Sequence, residues 1–165
     1  MEVLFSPGRF SYVTSPRDRD GPCILCQIRD SHDDEPNLVI LRTALSYVLI
    51  NRYPYNSGHL MIVPNRHQAD LQLLTREERG ELIELSGISE GILREAYRAQ
   101  GINLGMNLGE SAGAGILGHL HLHMVPRWAG DTNFMTVVGA TRVIPEEPQV
   151  SYAKLRPLFQ ERAGR

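Results

Sequence analysis

The sequence predicts an α+β domain built on an antiparallel sheet of about five strands, with one long helix and a short C-terminal helix. Three observations carry this. Apolar runs of period two flank a single long segment of helical period. The order is strands, helix, strands, rather than the βαβα alternation of a parallel sheet. The 165 residues are 42% hydrophobic and 22% charged, the size and composition of one globular domain. We read residues 1–165 as a single domain. Residues 1–37 are an irregular N-terminal segment with a cysteine pair, 38–145 the core, and 146–165 a C-terminal tail with a helix.

Residues 1–37 are rich in Pro, Gly, Asp and Arg, and Asp30–Asn37 is a polar loop. Leu38–Asn51 contains a β-compatible run, Ala44–Ile50. A turn at Tyr53–Gly58 follows, and His59–Val63 reads as a buried strand stopped by Pro64. These two runs suit an antiparallel hairpin. The long helix runs from Thr75 to about Gln100. Thr75 and Glu78 form a capping box, which satisfies two otherwise unpaired backbone donors. Leu82, Leu85, Ile88, Ile92, Leu93 and Ala96 form its apolar stripe. Gly101 is placed to end it in a left-handed conformation. Ile102, Leu104, Met106 and Leu108 then alternate as on a half-buried strand. A glycine-rich loop, Gly109–Gly118, leads into a strand over His119–Val125, stopped by Pro126. A β-compatible stretch at Asn133–Ile144 and a helix from Ser151 complete the chain.

The formal net charge is −2, which argues against a nucleic-acid polymer as partner. No run of about 18 apolar residues suggests a membrane span, and the N-terminus does not read as a secretory signal. A cytoplasmic location is the expectation. Disulfides are rare there, so the only two cysteines, Cys23 and Cys26, suggest metal binding or redox work as a C-x-x-C pair.

Three of the six histidines stand at 119, 121 and 123. On a strand they share one face, roughly 6.6 Å apart, while Leu120, Leu122 and Met124 point to the other. A neutral imidazole attacks phosphorus, and neighbouring rings offset phosphate charge. The same spacing also suits ligands around a catalytic zinc with an open position, or a nucleotide-binding module without turnover. The glycine-rich loop offers backbone N–H groups, including those of Gly113 and Gly115, to an anion.

His119-Leu-His121-Leu-His123-Met-Val125 resembles the signature of the histidine triad (HIT) family. Asn51–His67, Asn107–Gly113 and Pro126–Asp131 are similar to the blocks around that signature. The resemblance covers residues 23–145 and is nearest the branch with bacterial diadenosine tetraphosphate phosphorylases and hydrolases. It implies a HIT-like sheet and a nucleotide hydrolase or transferase acting on dinucleoside polyphosphates or nucleoside phosphoramidates. His121 would be the nucleophile that becomes nucleotidylated. His123 and His59 would lie near the phosphates, Asn51 at the ribose, Asn107 on the phosphate side, and Leu49 and Met61 beside the base. It further implies a structural zinc on Cys23, Cys26, His67 and His119, and a homodimer joined through sheet and long helix, with Ile83, Ile88 and Tyr97 as candidate contacts. Ala114-Gly115-Ile116 departs from the Gln or Ser of many members. Backbone N–H groups remain there, with Ser111 as the nearest hydroxyl, so the acceptor is left open between water, inorganic phosphate and another nucleophile.

Overall fold

The computed structural model describes residues 21–131 and 144–163. The elements are α1 (Ile24–Ser31), β1 (Val39–Arg42), β2 (Ser46–Ile50), β3 (Leu60–Pro64), α2 (Arg76–Tyr97), β4 (Gly101–Met106), β5 (Leu122–Arg127) and α3 (Pro148–Ala163). The five strands form one sheet in the order β1-β2-β3-β5-β4, every pair antiparallel. The expected β-stretch at 133–144 lies almost wholly outside the described residues. No described helix is long and apolar enough to cross a membrane.

The two faces of the sheet have different uses. One is covered by α2 and α3. There Ile40, Val48, Ile50, Leu60, Ile62, Leu122 and Met124 meet Leu82, Leu85, Ile92 and Leu93 of α2 and Tyr152, Leu155 and Phe159 of α3, all buried. The other face carries a second cluster, in which Leu25 of α1 packs with Val39, Tyr47, Leu49, Met61 and Val63. The triad histidines belong to this second face.

Several boundaries differ from the sequence reading, each for a local reason. The segment read as irregular contains α1, whose Leu25 is 1% exposed. The Tyr47 hydroxyl donates to the Leu25 carbonyl at 2.8 Å and ties the helix to the sheet. Leu38–Asn51 is itself a hairpin of β1 and β2. Its turn closes where the Thr43 hydroxyl and amide both reach the Ser46 carbonyl. The capping box of α2 is present as expected, Thr75 accepting from the Glu78 amide and Glu78 from the Thr75 amide. The helix reverses at Arg98, at φ 51°, rather than at Gly101. Gly101 is already paired with Arg127 as the first residue of β4, and a ladder residue is extended.

β4 is an edge strand, so its alternation is only half used. Ile102 and Met106 pack against the core, whereas Leu104 and Leu108 are about half exposed. The expected strand at His119–Val125 is displaced to Leu122–Arg127. Pro64 has no N–H to extend the ladder toward β5, and its carbonyl accepts from His119 Nε2 at 2.8 Å. Pro126 does not stop β5. Its carbonyl points past the end of β3 to Asn56 Nδ2 at 3.1 Å. The missing N–H therefore costs no ladder bond. α3 begins at Pro148, three residues before the predicted start, with proline at a first-turn position that needs no donor.

Candidate active site and metal cluster

Strand register builds the site. Leu49 pairs with Met61, Met61 with His123 and His123 with Gly105. This row crosses four strands on one face. Above it lies a cavity of about 480 Å³. Its apolar end is formed by Leu25 and Ile28 of α1 with Leu49, Met61 and Ile116, and its polar end by Asn51, Asn107, His121 and His123. Gly113 and Gly115 complete the polar wall.

Hydrogen-bond partners fix the tautomers of His121, His59 and His123. His121 Nδ1 lies 2.9 Å from the His119 carbonyl. A carbonyl only accepts, so Nδ1 carries the proton and Nε2 keeps its lone pair. Burial pushes the His121 pKa down, and the carbonyl bond only partly opposes this. The ring is therefore neutral, the form in which nitrogen is a nucleophile. For His123 the order runs through its neighbours. The Tyr55 amide donates to His59 Nδ1 at 3.0 Å. His59 Nε2 then holds the proton and donates to His123 Nδ1 at 2.9 Å. In a neutral ring this leaves the His123 proton on Nε2. Tyr55 stacks on His59 with centroids 4.7 Å apart.

His59 does not line this cavity. It is 0% exposed and stands behind His123. The glycine-rich loop is also less open than expected. The Gly113 amide donates to the Glu110 carbonyl and the Ala114 amide to that of Gly109, which leaves Gly115 and Ile116 as the loop amides beside the cavity. Ser111 is exposed on the 3-10 turn Glu110–Ala112 and does not line it.

On the far side of His121, four donors converge. The ligand atoms of Cys23, Cys26, His67 and His119 all lie within 4.8 Å of one another. Cys23 Sγ is 3.4 Å from His119 Nδ1, Cys26 Sγ 3.3 Å from His67 Nδ1 and 3.5 Å from His119 Nδ1. Tetrahedral zinc with Zn–S of about 2.3 Å and Zn–N of about 2.0 Å separates its ligands by roughly 3.5 Å. The separations and the Cys₂His₂ donor set therefore fit zinc. Donation of His119 Nε2–H to Pro64 leaves Nδ1 as the ligating atom, the orientation that a backbone carbonyl commonly imposes on a metal-binding histidine. The three triad rings do not surround one point. His119 turns to the cysteines, while His121 and His123 face the cavity.

Residues 32–130 match the HIT domain. The chain belongs to the HIT family. It is similar to the AP-4-A phosphorylase of Mycobacterium tuberculosis, 46% identical over 88% of this chain and 78% of that protein. It is also similar to a bis(5'-adenosyl)-triphosphatase of Dictyostelium discoideum, 27% identical over 74% of this chain and 86% of that protein. Among solved structures it is similar to a Zn-bound histidine triad family protein from Mycobacterium smegmatis. The TM-score is 0.70 and the identity 27%, covering 87% of this chain and 97% of the other.

This HIT site also uses residues that the sequence reading did not single out. Ile24, Leu25 and Ile28 have the i, i+1, i+4 spacing of a helix face that begins within the cysteine pair, a signal present in the sequence. Asn37, Arg52 and Tyr53 join the cavity wall from loops. Tyr55 is adjacent to Pro54 in a turn, and nothing local indicates that its ring will stack on a histidine.

Proposed function

We propose that this HIT protein is a nucleotidyl hydrolase or transferase that cleaves dinucleoside polyphosphates, such as diadenosine tetraphosphate, through a covalent nucleotidyl-His121. The observation that carries this reading is the neutral His121 ring. Its Nδ1–H is tied to a carbonyl and its Nε2 stands at the polar end of a cavity whose other end is apolar. The base occupies the apolar end, between Leu49 and Met61 and under Leu25 and Ile28. Asn51 holds the ribose. Asn107, His123 and the Gly115 and Ile116 amides take the phosphate oxygens.

His121 Nε2 attacks the α-phosphorus. The bond from phosphorus to the leaving polyphosphate breaks, and its electron pair stays on the departing oxygen. The new imidazolium keeps Nδ1–H on the His119 carbonyl, which spreads its charge. Nε2–H of His123 stabilises the oxygens as charge builds. An acceptor then displaces the nucleotide from His121. We take inorganic phosphate as that acceptor, because the relative at 46% identity is named AP-4-A phosphorylase.

We further propose that Cys23, Cys26, His67 and His119 hold a structural zinc. It would supply a cross-link between α1, the end of β3 and the triad segment, and no reaction step. A cytoplasmic homodimer completes the reading. Ile83, 60% exposed on α2, and the edge strand β4 with exposed Leu104 support a dimer contact, whereas Ile88 and Tyr97 pack against the protein's own core.

The test is a substrate panel with and without inorganic phosphate, run on wild type and on His121→Asn. Expected are phosphate-dependent products, a nucleotidyl group on the His121 peptide after alkaline quench, and a loss on the order of 10⁴-fold in His121→Asn with unchanged melting. Undiminished turnover in His121→Asn would refute the covalent route, and phosphate-independent products would assign water as acceptor.

A further inference from the structure

Asn37 lies in the wall of the cavity, and the function proposed above gives it no role. It stands on the loop between α1 and β1, two residues before Val39. Val39 pairs with Leu49, so the row that runs from His123 through Met61 and Leu49 ends on β1. Adjacent strands lie about 4.8 Å apart, and β1 is separated from β5 by β2 and β3. Asn37 is therefore on the side of the cavity farthest from His123.

The loop fixes the direction of its amide. Asn37 Nδ2 donates to Ser31 Oγ at 3.0 Å and to the Asp33 carbonyl at 2.8 Å. The Asp33 carbonyl can only accept. The Ser31 hydroxyl gives its own hydrogen to the Ile28 carbonyl at 3.0 Å, so toward Asn37 it accepts as well. Two acceptors require the nitrogen of the amide to face them, and both of its hydrogens are used. Oδ1 is left on the other side of the amide, and among the described residues no group donates to it.

Position along the cavity decides what this acceptor meets. In the nucleotide reading the phosphates lie at His121 and His123 and the ribose at Asn51. The base lies between Leu49 and Met61, under Leu25 and Ile28 of α1. Asn37 is bonded to the end of that same helix through Ser31, so it stands at the outer edge of the base. Adenine presents an N–H of its 6-amino group on such an edge. A 6-oxo purine would bring a carbonyl oxygen to the same point, and two facing acceptors leave each other unpaired. The neighbouring donor, Arg52, is exposed, and its Nη2 is engaged by the Pro36 carbonyl at 2.7 Å.

We propose that Asn37 Oδ1 accepts a hydrogen bond from the 6-amino group of a bound adenine, and so makes the site select adenine over 6-oxo purines. The proposal rests on the nucleotide reading of the cavity. Apolar walls alone discriminate weakly between bases of similar shape, whereas a polar group left unpaired by the wrong base rejects it strongly.

The experiment measures Kd for four ligands on wild type and Asn37→Ala. The ligands are AMP, purine riboside 5'-monophosphate, which lacks only the 6-amino group, inosine 5'-monophosphate, and 2'-deoxy-AMP. Wild type should bind AMP about three- to tenfold more tightly than purine riboside 5'-monophosphate, as for one hydrogen bond. Its preference for AMP over inosine 5'-monophosphate should be on the order of tenfold or more. In Asn37→Ala the AMP affinity should fall to that of purine riboside 5'-monophosphate, whose own affinity should stay within about twofold. Equal wild-type affinity for AMP and purine riboside 5'-monophosphate overturns the proposal, and this comparison needs no variant. A wild-type preference for inosine 5'-monophosphate overturns it too, and gives the base edge to Arg52. Parallel losses for all ligands in Asn37→Ala would make Asn37 a loop-packing residue. Loss there of the preference for AMP over 2'-deoxy-AMP, with the 6-amino preference kept, would give the oxygen to the ribose. Either result overturns the proposal and leaves the nucleotide reading standing. A wild type that binds none of the four overturns that reading itself.

Discussion

His121 owes its place in the proposed chemistry to a backbone oxygen two residues away, and His123 owes its place to a histidine 64 residues away. The two dependences predict different sensitivities. His59 is a positioning residue, since it does not line the cavity and its shortest side-chain contact to a cavity residue is the 2.9 Å bond to His123, with Asn51 Nδ2 farther away at 3.5 Å. With His59→Phe, His123 loses the donor that holds its proton on Nε2. Turnover should fall by roughly 10- to 100-fold, the usual effect of removing such an orienting partner. AMP affinity should hardly change, and His59→Gln, which keeps a donor, should recover part of the rate. Measuring kcat, AMP Kd and melting for both variants checks this. Equal losses in both variants would mean that packing, not the hydrogen bond, is what His59 supplies.

At the scale of elements, α1 joins two sites. Its cap residue is Cys23 and its first turns carry Cys26, while Leu25 and Ile28 form the wall of the base cavity. Eight residues are too few for a helix to persist alone in water, so α1 depends on its tethers. The Tyr47 bond and the Arg42 bonds to the Ile28 and Arg29 carbonyls are such tethers, and the proposed zinc is a further one. Chelation, or Cys26→Ser, should lower stability by a few kcal/mol and weaken AMP binding severalfold. Bound-metal analysis alongside calorimetric melting and nucleotide titration checks this. Unchanged AMP affinity in a protein freed of metal would show that α1 stays seated without the cluster.

The same scale shows where local pattern is a sound guide. The capping box at Thr75 and Glu78 was legible because both partners lie in one helical turn. The alternation correctly set His121 and His123 apart from Leu122 and Met124, since neighbours on a strand go to opposite faces, although the regular strand begins only at Leu122. The left-handed residue at the end of α2 was not legible. Glycine is the usual choice, but pairing of Gly101 with β5 moved the reversal to Arg98.

For the whole molecule, the sheet separates stability from chemistry, with the main core under α2 and α3 and the site on the opposite face. Glu78 is part of the stability side. It closes the capping box and is clamped by Arg66, Nε to Oε1 at 2.9 Å and Nη2 to Oε2 at 2.6 Å. The Arg66 bonds pull the Glu78 pKa down to about 2, against the opposing effect of burial, from an ordinary 4.5. The folded-state pKa is below the unfolded one, so the charged carboxylate stabilises the fold above pH 4.5. This contribution is lost as pH falls toward 2. Wild type should exceed Glu78→Gln by about 1–2 kcal/mol near neutrality, and the gap should shrink by pH 3. Urea unfolding of both proteins at the two pH values checks this. A gap independent of pH would assign the effect to shape rather than charge.

The sequence alone determined the features carried by neighbours in the chain: the long capped helix, the shared face of His121 and His123, and the spacing of the cysteine pair. Side-chain direction follows from a period of 2 or 3.6 residues, and such a period is visible in the letters. Only tertiary structure decided which partner each side chain meets. It brought Cys23 to His119 across 96 residues, placed His59 behind His123 and occupied the Gly113 amide. Those outcomes depend on strand register and on competition for hydrogen bonds between distant segments, and no local period encodes either.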